Sequence, residues 1–239
     1  MNSIKLCAYL AIFSAFGQTS CMGYVKDYYH WQFSTTFGFK EISGKHYPKT
    51  VDFLEKLRTK YPKALNGISI VISQYPGPVS STKSIAFPIT WIDELEKELL
   101  QTQLVTEWII LHEAGHIYHS HIVKSYTTQW AATAVALASY IAISKNDPEF
   151  STTTMQKVGL YFANNITCMI GHLMYSRYIM EPQADDFANE LCENPEAFIE
   201  TVKWFEKIAF DGMTHPSCAS RIAKMEQTLL DKFGIATVA

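Results

Sequence analysis

A proline-free run from Ile92 to His121 carries the pentapeptide His112-Glu113-Ala114-Gly115-His116 inside a helical hydrophobic pattern, and this placement limits the chain more than any other feature. Leu95, Leu99, Leu100, Leu104, Trp108, Ile109, Leu111 and Ile117 recur at mixed three- and four-residue intervals, which predicts one or two amphipathic helices. Trp108 to Leu111 is apolar all round, so the helix is expected to enter the core just before the pentapeptide. His112 and His116, four residues apart, then share one face, and Glu113 is offset toward the space beside them. A buried polar group is costly unless something satisfies it, and a metal ion does so for two imidazoles. Neutral imidazoles are zinc ligands, and a carboxylate at the second position is placed to take a proton from metal-bound water. The plainer alternative, a buried helix with hydrogen-bonded histidines, leaves the Glu113 spacing as coincidence.

A catalytic zinc site takes three protein ligands and leaves a fourth position for water. Glu181 is the third candidate, in Glu181-Pro182-Gln183-Ala184-Asp185, where Glu181 and Asp185 fall on one face of a helix. Asp185 suits the usual partner of a ligating imidazole, a carboxylate accepting the other ring N–H of His112 or His116. Pro182 either kinks the helix at the ligand or occupies the first turn of a helix beginning near Glu181. Taken alone, this stretch also reads as a solvated acidic face with Asp186 and Glu190. His119 and His121 do not complete a metzincin pattern, which needs Gly at position 119 and His at position 122.

With 239 residues, 48% of them hydrophobic, the chain can bury one sizeable core, and a net charge of −3 gives no basic footprint for nucleic acid. Lys5 followed by an apolar stretch from Leu6 to Phe16 resembles a secretory signal, so residues 1–20 are read as a signal peptide or anchor and 21–239 as the catalytic domain. The body of the protein is expected to be exported, in the periplasm or at the membrane if the source is bacterial. Two processing routes are open: cleavage after Ala15-Phe16-Gly17, or lipidation of Cys21 in an imperfect lipoprotein box. No C-x-x-C pair exists among the cysteines, which argues against a thiolate zinc site; a Cys192–Cys218 disulfide and buried thiols are both compatible with the spacing. The oligomeric state is not legible.

The aromatic segment Tyr24 to Phe39 reads as packing residues. A helix is predicted over Tyr47 to Tyr61, a strand over Ile68 to Ile72, and a second strand over Ser84 to Thr90, where Pro88 suits an edge that pairs with a peptide. Ser125 to Ser144 and Val158 to Ser176 lack charge altogether; they form either a membrane hairpin across 125–176 or two core helices. The core reading is favoured, because the purely apolar part of the first is short and Asn164, Asn165 and His172 interrupt the second.

Three separated motifs resemble the M48 zinc metallopeptidases, the family of the CAAX prenyl protease, the heat-shock membrane protease and several quality-control proteases: His112 to His116, Glu181 to Asp185 with Phe187-Ala188, and His215-Pro216-Ser217 with Arg221-Ile222. The resemblance covers about Ile68 to Leu230. It implies an α+β, mainly helical, zincin-like (gluzincin) domain with a small antiparallel sheet. It implies one Zn²⁺ per chain on His112, His116 and Glu181, Glu113 as general base, and a protein or peptide substrate. It further implies that His215 donates to the developing oxyanion, against the plainer reading of a helix cap formed by Thr214 or Ser217. Arg221 is implied to hold acidic or carbonyl groups, and Ser84, Ile85, Ala86 and Phe87 to form the substrate-binding edge strand. The resulting expectation is a zinc endopeptidase acting on exported or membrane-associated proteins. The rival from another class is a zinc-bound, proteolytically silent chaperone or assembly factor of the cell envelope.

Overall fold

The computed structural model describes residues 22–146, 163, 166–167, 169–208 and 215–236. The signal segment, Cys21 and most of the stretch between the two uncharged arms therefore lie outside the described residues. Helix α1 (Met22–Thr36) leads through a short strand β1 (Lys40–Glu41) to α2 (Pro48–Lys60) and the single turn α3 (Pro62–Leu65). Strands β2 (Ser69–Ser73), β3 (Val79–Ser80) and β4 (Ser84–Pro88) follow, then α4 (Ile89–Glu96), α5 (Leu100–Tyr118) and α6 (His121–Asn146). The chain re-enters through helical residues 169–175 and a π-helical segment, Ser176–Met180, before α7 (Glu181–Leu191), α8 (Pro195–Ile208) and α9 (Cys218–Phe233).

The run from Ile92 to His121 resolves into two helices, because Glu98 takes a left-handed φ of 55° and stops α4. From Val105 to His116 every residue of α5 is buried, so this helix is the axis of the molecule. Apolar side chains from α2, β2, β4, α4, α7, α8 and α9 converge on it, among them Leu54, Ile85, Phe87, Leu95, Ala188, Phe198 and Leu229. Inside this core Glu107 is buried and paired: Lys60 Nζ lies 2.7 Å away, Asn194 Nδ2 donates at 2.9 Å, and the Tyr61 hydroxyl donates as well. One carboxylate thus ties α5 to α2, α3 and the turn before α8.

The sheet corrects two expectations. Its order is β1-β2-β4-β3, with β2 and β4 parallel and the outer pairs antiparallel, so it is mixed and not antiparallel. The strand at Ser84 ends at Pro88, which caps α4, and it is an inner strand: Ser84, Ile85, Ala86 and Phe87 are buried between β2 and β3. The predicted edge role of these residues fails because both sides of Ile85 and Ala86 are already paired within the sheet, to β2 and to β3. Val79 and Ser80 in β3 form the outer strand instead.

Helix α1 crosses the β3–β4 turn and the start of α6. Thr82 Oγ1 donates to the Lys26 carbonyl at 2.6 Å, Lys83 pairs with Asp27, and Tyr29 stacks on Tyr126 at 4.4 Å. The aromatic segment is therefore only partly packing, since Tyr28 and Trp31 remain 55% and 62% exposed. Cys192 is a buried thiol, so the Cys192–Cys218 disulfide is not formed, and burial pushes that thiol up to about 11. Among the described residues no helix is long and apolar enough to cross a membrane.

Candidate metal centre

Two helices meet at the pentapeptide because a glycine lets them. A Cβ on Gly115 would come within 3.0 Å of Ala184 Cα and 3.1 Å of Phe187 Cβ, so α7 rests its backbone directly on α5. Pro182 governs what α7 presents there. Lacking an N–H, it cannot join an ordinary i→i−4 ladder, and the turn before it widens so that the Glu181 N–H reaches the Ser176 carbonyl five residues back. Of the two expectations for Pro182, the start of a helix is the one seen: α7 starts at Glu181 with proline in its first turn, and a π segment joins it to the preceding helix.

The outcome is a cluster of three buried donors, His112, His116 and Glu181, whose ligand atoms lie within 4.8 Å of one another. The two Nε2 atoms are 3.2 Å apart, Glu181 Oε1 is 3.4 Å from His116 Nε2, and Glu181 Oε2 is 3.5 Å from His112 Nε2. Tetrahedral zinc bonds of about 2.0–2.1 Å separate neighbouring donors by about 3.3–3.4 Å, so the spacing fits such an ion. Glu181 Oε2 is buried without a hydrogen bond, its approach to His215 Nδ1 at 2.7 Å being out of line, and a cation would satisfy it.

Charges around the cluster are arranged with equal economy. Burial pushes the His112 imidazole down, but the carboxylates of Asp185 and Glu181 prevail and raise it to about 9. His116 is held by burial down to about 3, which the Glu181 carboxylate only partly offsets. Burial also pushes the Glu181 carboxyl up, yet His112, His215 and His116 hold it well below the usual range. Glu113 is buried one position along α5, and that burial raises its carboxyl, partly offset by His112 and by a hydrogen bond from Ser80 of β3.

Around these groups stand their supports. Asp185 Oδ1 lies 2.8 Å from His112 Nδ1, off the N–H axis, and Arg221 grips the same carboxylate with two bonds, Nε at 3.0 Å and Nη2 at 2.6 Å. The guanidinium in turn lies 4.3 Å over the Phe205 ring, so α9 is locked onto α7 and α8 at this point. Trp108 stacks beneath His112 at 5.5 Å and donates its indole N–H to Asn189. His215 Nδ1 lies 2.7 Å from Glu181 Oε2, while Ser217 caps α9 by accepting from the Ser220 N–H at 3.2 Å, as the plainer reading of this motif expected. Ser80, His121 and Gln183 were not foreseen. His121 Nδ1 lies 2.8 Å from His116 Nδ1, and His121 Nε2 lies 3.0 Å from Gln183 Oε1. Their only sequence signals were the clustering of His119 and His121 just after the pentapeptide and the position of Gln183 between Glu181 and Asp185.

Two histidines on one helix and a glutamate from a second form a group that could hold one metal ion, with Glu113 beside them. The sequence model of peptidase family M48 matches residues 90–229, more than half of the chain, and takes in α5, α7 and most of α9. The chain belongs to peptidase family M48. No curated protein and no solved structure gives a significant match to it.

Proposed function

We propose that the chain is a zinc-dependent endopeptidase in which Glu113 is the general base and His112, His116 and Glu181 hold the metal. The observation that carries this reading is the donor triad at zinc-like spacing with a buried, non-ligating Glu113 next to it. A zinc ion there supplies Lewis acidity, polarising a peptide carbonyl and acidifying the attacking water. The remaining work falls to the chain's own groups. Glu113 accepts the proton of that water and hands it to the departing amine, with Ser80 orienting its carboxylate from the outer strand. Outer strand β3 lies beside the base, which supports an extended polypeptide as the substrate, aligned along Val79 and Ser80. Exported or membrane-associated proteins are the substrates we assign, from the signal-like N-terminus alone.

Cleavage of unfolded casein tests the proposal. Activity should disappear with a chelator and return with zinc; Glu113→Gln should keep zinc while losing about 10²–10⁴-fold in turnover, because only the base is removed. His116→Ala should lose the metal itself. Full turnover by Glu113→Gln, or full zinc content in His116→Ala, would overturn the assignment.

A further inference from the structure

We infer that His121, directed by Gln183, is the positioning residue that fixes the tautomer of His116 for metal binding; the inference rests on the metal-centre reading above. The two ligand histidines are supported in different ways. The distal nitrogen of His112 faces a carboxylate, Asp185, itself held by Arg221. The distal nitrogen of His116 faces no carboxylate; 2.8 Å away stands the Nδ1 of a second imidazole, the wholly buried His121.

Two ring nitrogens at that distance share one proton, so one carries N–H and the other a lone pair. Which is which decides whether His116 can bind a metal. The Gln183 side-chain oxygen accepts only, and it lies 3.0 Å from His121 Nε2, so the proton of His121 sits on Nε2. His121 Nδ1 is then the acceptor, His116 Nδ1 the donor, and His116 Nε2 is left with a lone pair, facing His112 Nε2 at 3.2 Å and Glu181 Oε1 at 3.4 Å. The opposite polarity would protonate His116 Nε2 and close the site to a cation. Ring nitrogens of metal-bound histidines are set in this way by the hydrogen bond on their far side, usually from a carboxylate or carbonyl. Here a neutral imidazole–amide relay performs the task.

The fold spends strain on this relay. Ser120, between α5 and α6, takes a left-handed φ of 54°, a conformation that a residue with a Cβ adopts only at a cost. That reversal turns His121 back against the last turn of α5, five residues beyond His116. His119 stacks against the His121 ring, centroids 5.3 Å apart and planes 15° from parallel. Gln183 comes from α7, two residues from ligand Glu181, so the same helix supplies a metal ligand and sets the tautomer of another.

Substitutions at His121 separate an acceptor role from a packing role. His121→Phe keeps a ring and removes the acceptor, whereas His121→Asn and His121→Asp lose the ring but place Oδ1 on the same carbon that bears Nδ1. Zinc affinity, measured by competition with a chromogenic chelator, should fall about 10–100-fold in His121→Phe and recover in His121→Asn and His121→Asp. Gln183→Glu should keep wild-type affinity and Gln183→Met should lose it. Imidazole ¹⁵N–¹H correlation spectra of the zinc-loaded wild-type protein should show His121 protonated at Nε2 and His116 at Nδ1. Wild-type affinity in His121→Phe, no recovery in either His121→Asn or His121→Asp, or a proton on His121 Nδ1 would overturn the inference. If His121→Phe does not fold, the spectra and the Gln183 pair decide it. A wild-type chain that binds no zinc would instead sink the metal centre itself, and the relay with it.

Discussion

At the scale of single residues the site separates groups by what lies next to them. His112 and His116 have the same side chain on the same helix and both are pushed down by burial, yet the carboxylates of Asp185 and Glu181 raise the first to about 9 while burial prevails on the second and lowers it to about 3. Glu113 and Glu181 divide likewise: burial raises the base, and three histidines lower the ligand. The sign of the resulting pH effect follows. In the proposed reaction Glu113 acts as the ionised base; its value lies above the ordinary 4.5, and ionisation is lost as pH falls through that raised value. The acid limb of kcat/KM should therefore lie above pH 4.5, and Ser80→Ala, which removes a bond to the ionised form, should move it higher still. A pH–rate profile of both proteins on a fluorogenic peptide checks this; a limb that stays in place or moves down in Ser80→Ala contradicts it.

Between elements the controlling contact is the crossing of α5 and α7. Gly115 allows a backbone-to-backbone approach, and a methyl group there would meet Ala184 Cα at 3.0 Å, where nothing flexible can give way. Gly115→Ala should cost about 1–3 kcal/mol in urea unfolding and weaken zinc binding, since it moves Glu181 away from both histidines. The π segment is the second device. Pro182→Ala returns the missing N–H, which permits an ordinary helical ladder and a rotation of Glu181 by about 100° about its axis. Zinc affinity should drop in that variant without loss of thermal stability, a combination that equilibrium dialysis and melting curves together reveal. Unchanged affinity would show that Glu181 is placed by α5 packing alone.

Across the whole molecule, stability and chemistry occupy different stretches of α5. Glu107, about one and a half turns before the pentapeptide, gathers Lys60, Tyr61 and Asn194 in the core, while His112 and His116 belong to the cluster with Glu181. Removing one member of a buried charged network leaves the others unpaired, so Glu107→Ala should destabilise the fold by about 3 kcal/mol. Zinc affinity below the unfolding transition should be unchanged, as measured on the folded variant with the same chelator. A selective loss of metal without loss of stability would mean that the two ends are coupled.

Much of the centre was legible from sequence because metal chemistry demands particular residue types, and helical periodicity places them. His112, Glu113 and His116 are four residues or fewer apart on a segment whose apolar pattern announces burial, and Glu181 with Asp185 repeats that spacing in a second helix. Local rules suffice for such features. The remainder depends on partners distant along the chain. Burial of Ser84 to Phe87 inside the sheet required β3 to fold onto β4, and the Arg221 grip on Asp185 required α9 to dock on α7. The return of His121 to His116 required a left-handed serine and a glutamine from another helix, neither of which hydrophobic pattern or propensity encodes. The sequence by itself determined which side chains are candidates to bind a metal and to move a proton. Only the tertiary structure decided which group stands behind each ring and which strand runs beside Glu113, because both depend on contacts that exist only once distant helices and strands have closed together.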